Sequence, residues 1–163
     1  MTREPLASRV FGSVTGTVAP LARFAAGRAV QRWFTAAHAA LYRRLGVGRR
    51  IGNASILLLT TTGRRSGAAR TVPLMYVPAD DPVLVGSNGG SPTHPAWYLN
   101  LLNDPRATIE VGRERRDLIA RTVTGPEREP LWRQAVANYP AYASYQRRTE
   151  RELPVVVLEP AIH

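Results

Sequence analysis

The sequence contains no cysteine among its 163 residues. That removes disulfides, thiolate metal ligands and a cysteine nucleophile together. Lysine is absent as well, and all 22 basic residues are arginine. His38, His94 and His163 show neither the spacing of a metal site nor that of a Ser-His-Asp arrangement, and the acidic residues form no metal-holding cluster. No apolar run approaches the ~18–20 residues of a membrane-spanning helix. No charged start leads into an apolar core with a cleavage site, so a secretory signal is not expected. There is no G-x-G-x-x-G, no P-loop, no internal repeat and no low-complexity segment.

What is present reads as one globular chain, 44% apolar and 21% charged, long enough to bury a core. The net charge of +10 is uneven. Residues 1–50 hold nine Arg against the single acid Glu4, whereas the rest holds thirteen Arg against eleven acids. Such a basic arm suits an anionic membrane surface, an acidic ligand or nucleic acid, or is simply a solvated helix face. Its arginine runs lack interleaved aromatics and any nucleic-acid motif, so no nucleic-acid partner is expected. Within it, Leu21 to Leu45 reads as a helix. Val30, Trp33, Phe34, Ala37, Leu41 and Leu45 share one face and Arg28, Arg32 and Arg43 the other. The apolar face either packs on the main domain or lies in a membrane interface. The expected division is a basic arm over 1–50 and a cofactor-binding domain over 51–163.

The body of the chain predicts six strands: 55–62, 70–77, 82–87, 107–111, 118–123 and 153–158. Short helices are expected over 96–102, 126–138 and 139–148. Pro73 inside the second strand marks an edge, a bulge or a place where the ladder opens. Strands joined mostly by hairpins, with peripheral helices, predict an antiparallel sheet or small barrel rather than a doubly wound parallel sheet.

Two loops and two aromatic groups are candidates for chemistry. Gly63-Arg64-Arg65-Ser66-Gly67, with Arg70 close behind, is cationic and free of acids. It is either a hairpin turn with solvated arginines or a site where guanidinium forks take a phosphate or carboxylate. Gly86-Ser87-Asn88-Gly89-Gly90 contains Asn-Gly, the strongest short hairpin signal, yet can equally bring backbone donors and a hydroxyl to a planar ring. Trp97 and Asn100 share one face of a short helix, as core residues or as part of a ligand wall. Tyr139, Tyr142 and Tyr145 form a stripe that either packs with wet hydroxyls or lines an apolar pocket.

T-T-T-G-R-R-S-G-x-x-R-x-x-P-L, then G-S-N-G-G, H-P-A-W-Y-L-N-L and N-D-P, resembles the deazaflavin (coenzyme F420)-dependent nitroreductase and quinone reductase family. The ending Y-P-A-Y-A-S-Y-Q-R-R-T-E-R-E-L-P-V-V-V-L-E-P is similar to that family's tail. The match runs over roughly Asn53 to Pro160. It implies a mainly β fold, a split β-barrel like that of flavin-binding oxidases, behind the N-terminal amphipathic helix. It implies reduced F420 as hydride donor and a quinone, menaquinone-like, or a nitroaromatic as acceptor. A non-catalytic F420 or flavin carrier is the alternative. By matching position, Arg64, Arg65, Ser66, Arg70, Thr71, Val72, Pro73, Leu74 and Met75 would bind the cofactor. So would Val85, Gly86, Ser87, Asn88, Ala96, Trp97, Tyr98, Leu99 and Asn100. Ser87 would sit by the reacting end of the deazaflavin, with Tyr139, Tyr142 and Tyr145 lining the acceptor pocket. Tyr142 or water would supply the proton. Asn88 departs from the lysine that members can carry in S-K-G-G. The resemblance also implies a cytoplasmic protein in peripheral contact with the inner face of the cell membrane through the N-terminal helix. Oligomeric state is not implied.

Overall fold

A computed structural model describes residues 50–51 and 54–161. The expected basic arm over 1–50, apart from Arg50, lies outside the described residues, as does its helix over Leu21 to Leu45. Among the described residues there are seven strands: β1 (Arg50–Ile51), β2 (Ala54–Thr62), β3 (Ala69–Val77), β4 (Val83–Val85), β5 (Arg106–Val111), β6 (Glu114–Val123) and β7 (Val155–Pro160). Three helices accompany them: α1 (Ala96–Asn103), α2 (Gly125–Asn138) and α3 (Ala141–Gln146).

All pairings are antiparallel, in the order β1-β2-β3-β4-β7-β6-β5, and β5 also pairs with β2. That extra ladder, Leu58↔Glu110 through Thr61↔Ala107, closes six strands into a barrel and leaves β2 and β5 no free edge. The expected barrel is thus observed, with the two-residue β1 added beside β2.

Strand chemistry explains the interior. In β2, Leu57 and Leu59 enter the main core with Leu84, Trp97, Tyr98, Leu101, Ile109, Val156 and Leu158. Ile56 and Leu58 point to the opposite face, yet are 3% and 0% exposed. A strand buried on both faces loses the alternating pattern, which is why this stretch reads as one apolar run. Tyr98 reaches across the core so that its hydroxyl lies 3.2 Å from Thr122 Oγ1.

The last strand begins two residues later than its apolar run suggests. Leu153 is fully buried, but its N–H donates to Gln146 Oε1 (2.9 Å) and its carbonyl accepts from Arg128 Nη2 (2.9 Å). With both backbone groups taken by side chains, Leu153 has nothing to offer a ladder. No helix among the described residues is long and apolar enough to cross a membrane.

Candidate functional site

The barrel parts between β3 and β4. The two strands are paired only at Tyr76↔Leu84 and Val77↔Val83. Continuing that register would set Leu74 opposite Gly86 and Pro73 opposite Ser87. Instead the chain leaves the sheet at Gly86, so β3 from Arg70 to Met75 has β2 on one side and no strand on the other. Pro73 lies in this unpaired stretch, where a residue without an N–H costs the sheet nothing. The opening is therefore bounded by the β3 edge on one side and the Gly86–Asn88 segment on the other. Thr71 to Met75 line the edge half-buried. Val72 and Leu74 pack inward against the main core, Met75 outward on Ile56 and Leu58.

At the head of the opening stands the β2–β3 loop. Gly63 N donates to Ala68 O (2.8 Å), Ser66 N and Gly67 N both donate to Gly63 O (3.1 and 2.7 Å), and Gly67 takes φ 66°. Only glycine adopts that backbone at no steric cost. Ser66 Oγ accepts from Ala68 N and Arg70 Nη2, both at 3.3 Å. Arg64, Arg65, Ser66 and Arg70 are all exposed. Among the described residues none of these arginines forms an ion pair, whereas Arg106, Arg121 and Arg128 each hold a carboxylate. Three guanidinium groups without ion pairs among the described residues, two on the turn and Arg70 at the start of β3, make a strongly anion-seeking surface.

Asn100 fixes this loop from beneath. It is 5% exposed, its Oδ1 accepts the backbone N–H of Arg64 (3.1 Å), and its Nδ2 donates to Thr61 Oγ1 (3.1 Å). A buried amide must find partners, and these two are supplied by β2 and its loop. Trp97, on the same helix face, is 7% exposed and belongs to the main core with Tyr98. Leu99 is half-buried and Ala96 exposed.

Gly86-Ser87-Asn88-Gly89-Gly90 is not a hairpin. Asn88–Gly90 is a single 3-10 turn leading towards α1. Gly86 N donates to Pro154 O (2.9 Å), Ser87 N to Val85 O (2.9 Å), and Gly90 N to Ser87 O (2.9 Å). Asn88 stands at φ 46°, a left-handed conformation that asparagine tolerates, and its Nδ2 donates to Thr93 O (3.0 Å). The hairpin signal of Asn-Gly was real as a turn, but both glycines and Asn88 serve a turn from strand to helix. A larger residue at Gly86 would force a shift: a Cβ there would lie 2.6 Å from Pro154 Cγ.

A residue that local sequence reading did not single out holds the loop in place. Arg151 Nε donates to Ser91 O (2.8 Å), Nη1 to Gly86 O (3.1 Å) and Nη2 to Ser87 O (2.8 Å). Nη1 also lies 3.2 Å from His94 Nδ1. Because arginine only donates, His94 Nδ1 is the acceptor and its proton sits on Nε2. Burial, then the Arg151 charge, hold the His94 pKa below the ordinary 6.5, and burial lowers that of Arg151. Nothing near Arg151 in sequence marks it out from the other arginines of the tail.

Tyr139, Tyr142 and Tyr145 do come together. Their ring centroids are 5.2 to 6.4 Å apart, and the Tyr139 and Tyr145 hydroxyls are 3.5 Å apart. They pack with Val85 and Leu153, beside the point where the opening begins. Asn138 Nδ2 ties the end of α2 to Tyr76 O (3.3 Å) at the same place. Tyr142 is 6% exposed, and burial, followed by Tyr139 and Tyr145, raises its pKa far above that of a free phenol. Tyr139 is also raised, first by its hydrogen bond to Tyr145. Tyr139 and Tyr145 are half-buried and face the wetter side.

A six-strand barrel parted along one strand edge defines a protein of the split β-barrel class. Comparison with known proteins narrows this. The profile of the F420H(2)-dependent quinone reductase family matches residues 33–160. The F420H(2)-dependent quinone reductase Rv1261c of Mycobacterium tuberculosis is 41% identical over 128 residues, which covers 74% of this chain and 86% of that one. Among solved structures, an F420-H2 dependent reductase (FDR-A) shares 44% identity with a TM-score of 0.60, over 64% of this chain and 93% of that one. A structure described as a domain-swapped dimer shares 37% identity with a TM-score of 0.62, over 85% and 96%. The chain belongs to the F420H(2)-dependent quinone reductase family. It is an oxidoreductase whose hydride donor is reduced coenzyme F420, and quinone reduction is the family's reaction.

Proposed function

We propose that this opening binds reduced F420 and a quinone side by side, with menaquinone-like quinones as the main acceptors and nitroaromatics as incidental ones. The observation that carries the reading is the cationic loop: Arg64, Arg65 and Arg70 are exposed, close in sequence and without ion pairs among the described residues. The F420 tail carries a phosphate and glutamates, so the loop's charge fits the group. Thr71 to Met75 and Val85 to Asn88 would flank the ring across the opening. Bound in its reduced form, F420 supplies the hydride.

The chain's own work is then binding, orientation and exclusion of water. Ser87 would present its hydroxyl at the reacting end. Tyr139 and Tyr145 would wall the acceptor side, their apolar rings favouring a flat hydrophobic quinone and their hydroxyls meeting its oxygens. Tyr142 holds its proton tightly, so it acts as wall and hydrogen-bond donor, and water is the better proton source. Contact of the basic N-terminal segment with the inner face of a membrane would bring the protein to lipid-dissolved quinones.

The test is a fluorescence titration with F420, with FMN as comparator, followed by turnover of reduced F420 with a simple quinone. Arg65→Ala and Arg70→Ala are each expected to weaken F420 binding by about tenfold and to flatten its salt dependence. Unchanged affinity in both variants overturns the site. Binding without turnover would make the protein a carrier. Flotation of the full chain with anionic liposomes tests the membrane contact.

A further inference from the structure

Arg151 is 65 residues from Gly86, yet its guanidinium gathers the carbonyls of Gly86, Ser87 and Ser91 and the ring of His94. Among the described residues it has no carboxylate partner. A half-buried charge without a counter-ion is costly unless its donors are used, and here the loop carbonyls use them. The backbone of Arg151 is itself fixed. Its carbonyl accepts from Gln146 Nε2 (2.8 Å), and Gln146 Oε1 accepts from Leu153 N (2.9 Å). Gln146 closes α3, the helix that carries Tyr142 and Tyr145. The arginine therefore joins the tyrosine helix to the loop on the far side of Gly86.

The pull is also directional. Arg151 holds the Gly86 and Ser87 carbonyls just beyond the point where the β3–β4 ladder ends at Tyr76↔Leu84. The planar fork meets three carbonyls in different directions, which a lysine ammonium on a single stem cannot reproduce.

We propose that Arg151 is a positioning residue for the reaction, holding Gly86–Ser91 away from β3 so that Ser87 stands at the edge of the opening. This rests on the reading of the opening as the F420 site. A plain stabilising staple would instead affect folding and leave binding alone.

The variants are Arg151→Lys, which keeps the charge and most of the stem, and Arg151→Ala. Two readouts are taken on the full chain: hydrogen exchange of residues 86–94 without ligand, and the F420 dissociation constant by fluorescence. Arg151→Lys is expected to speed exchange in that loop and to raise the dissociation constant about tenfold, matching the loss of charge-assisted bonds. Millimolar guanidinium ion is expected to restore part of the affinity of Arg151→Ala. Loop exchange and affinity of Arg151→Lys within twofold of the parent overturn the proposal, as does lost affinity with unchanged loop exchange. If Arg151→Ala does not fold, Arg151→Lys decides alone. If the parent protein itself fails to bind F420, the functional reading falls, and loop exchange in ligand-free Arg151→Lys still decides whether Arg151 sets the loop.

Discussion

The backbone N–H of Arg64 donates to the buried side-chain oxygen of Asn100 at 3.1 Å, across 36 positions of sequence. The same amide donates to Thr61 Oγ1. The cationic loop is thus seated on α1, and Asn100 lies five residues after Pro95, where the segment from the glycine loop enters the helix. At ~1.5 Å per residue, about 7–8 Å of helix separates the two ends of the site. Asn100→Ala is expected to cost about 1–3 kcal/mol, because the Thr61 hydroxyl and Arg64 N–H lose their partner. Urea denaturation reads the cost. F420 titration should show a parallel loss of affinity, and an unaltered affinity would mean the loop keeps its shape unaided.

Gly86→Ala tests the close approach at the other end. The new methyl would meet Pro154 Cγ at 2.6 Å, and a proline ring has little freedom to move aside. Overpacking of this kind costs about 1–3 kcal/mol. The expected result is a lower denaturation midpoint together with weaker F420 binding. A wild-type midpoint would show that β7 and the loop shift apart without cost.

Tyr142→Phe separates wall from proton donor. Removing a general acid slows a reaction by about 10²–10⁴. The Tyr142 hydroxyl is buried with its pKa pushed well above the ordinary phenol value, so we expect kcat to fall by less than about tenfold, below that range. The pH–rate profile should keep its shape. A fall of several hundredfold, with a changed profile, would identify Tyr142 as the proton source.

His94 carries a pH signature. Its folded pKa lies below 6.5, first through burial and then through the Arg151 charge. As pH falls through 6.5 the unfolded chain takes up a proton that the folded protein still refuses. Stability therefore holds above that pH, declines below it, and levels off under the folded pKa. Thermal denaturation from pH 8 to 5 should show the decline near pH 6.5, and His94→Asn should remove that component. An identical pH dependence in His94→Asn would assign the decline to other groups.

Much of the fold could be read locally. The Ile56–Leu59 run, the threonines after it, Pro95 before α1, Pro140 before α3 and the valines of β7 each state their element within a few residues, because propensity and periodicity act over that range. Boundaries moved where side chains took over backbone partners, as at Leu153. The motifs also placed the cationic and glycine-rich loops in the chain. Only the tertiary structure decided that β5 turns back to close on β2, that the ladder between β3 and β4 stops at Tyr76, and that Trp97 is core while Asn100 holds a loop. Arg151, indistinguishable in sequence from Arg147 and Arg148, acquires its place only once the chain brings Gly86, Ser87 and Ser91 around it. Hydrogen bonds between residues tens of positions apart depend on where packing sets each backbone, and no local pattern carries that information.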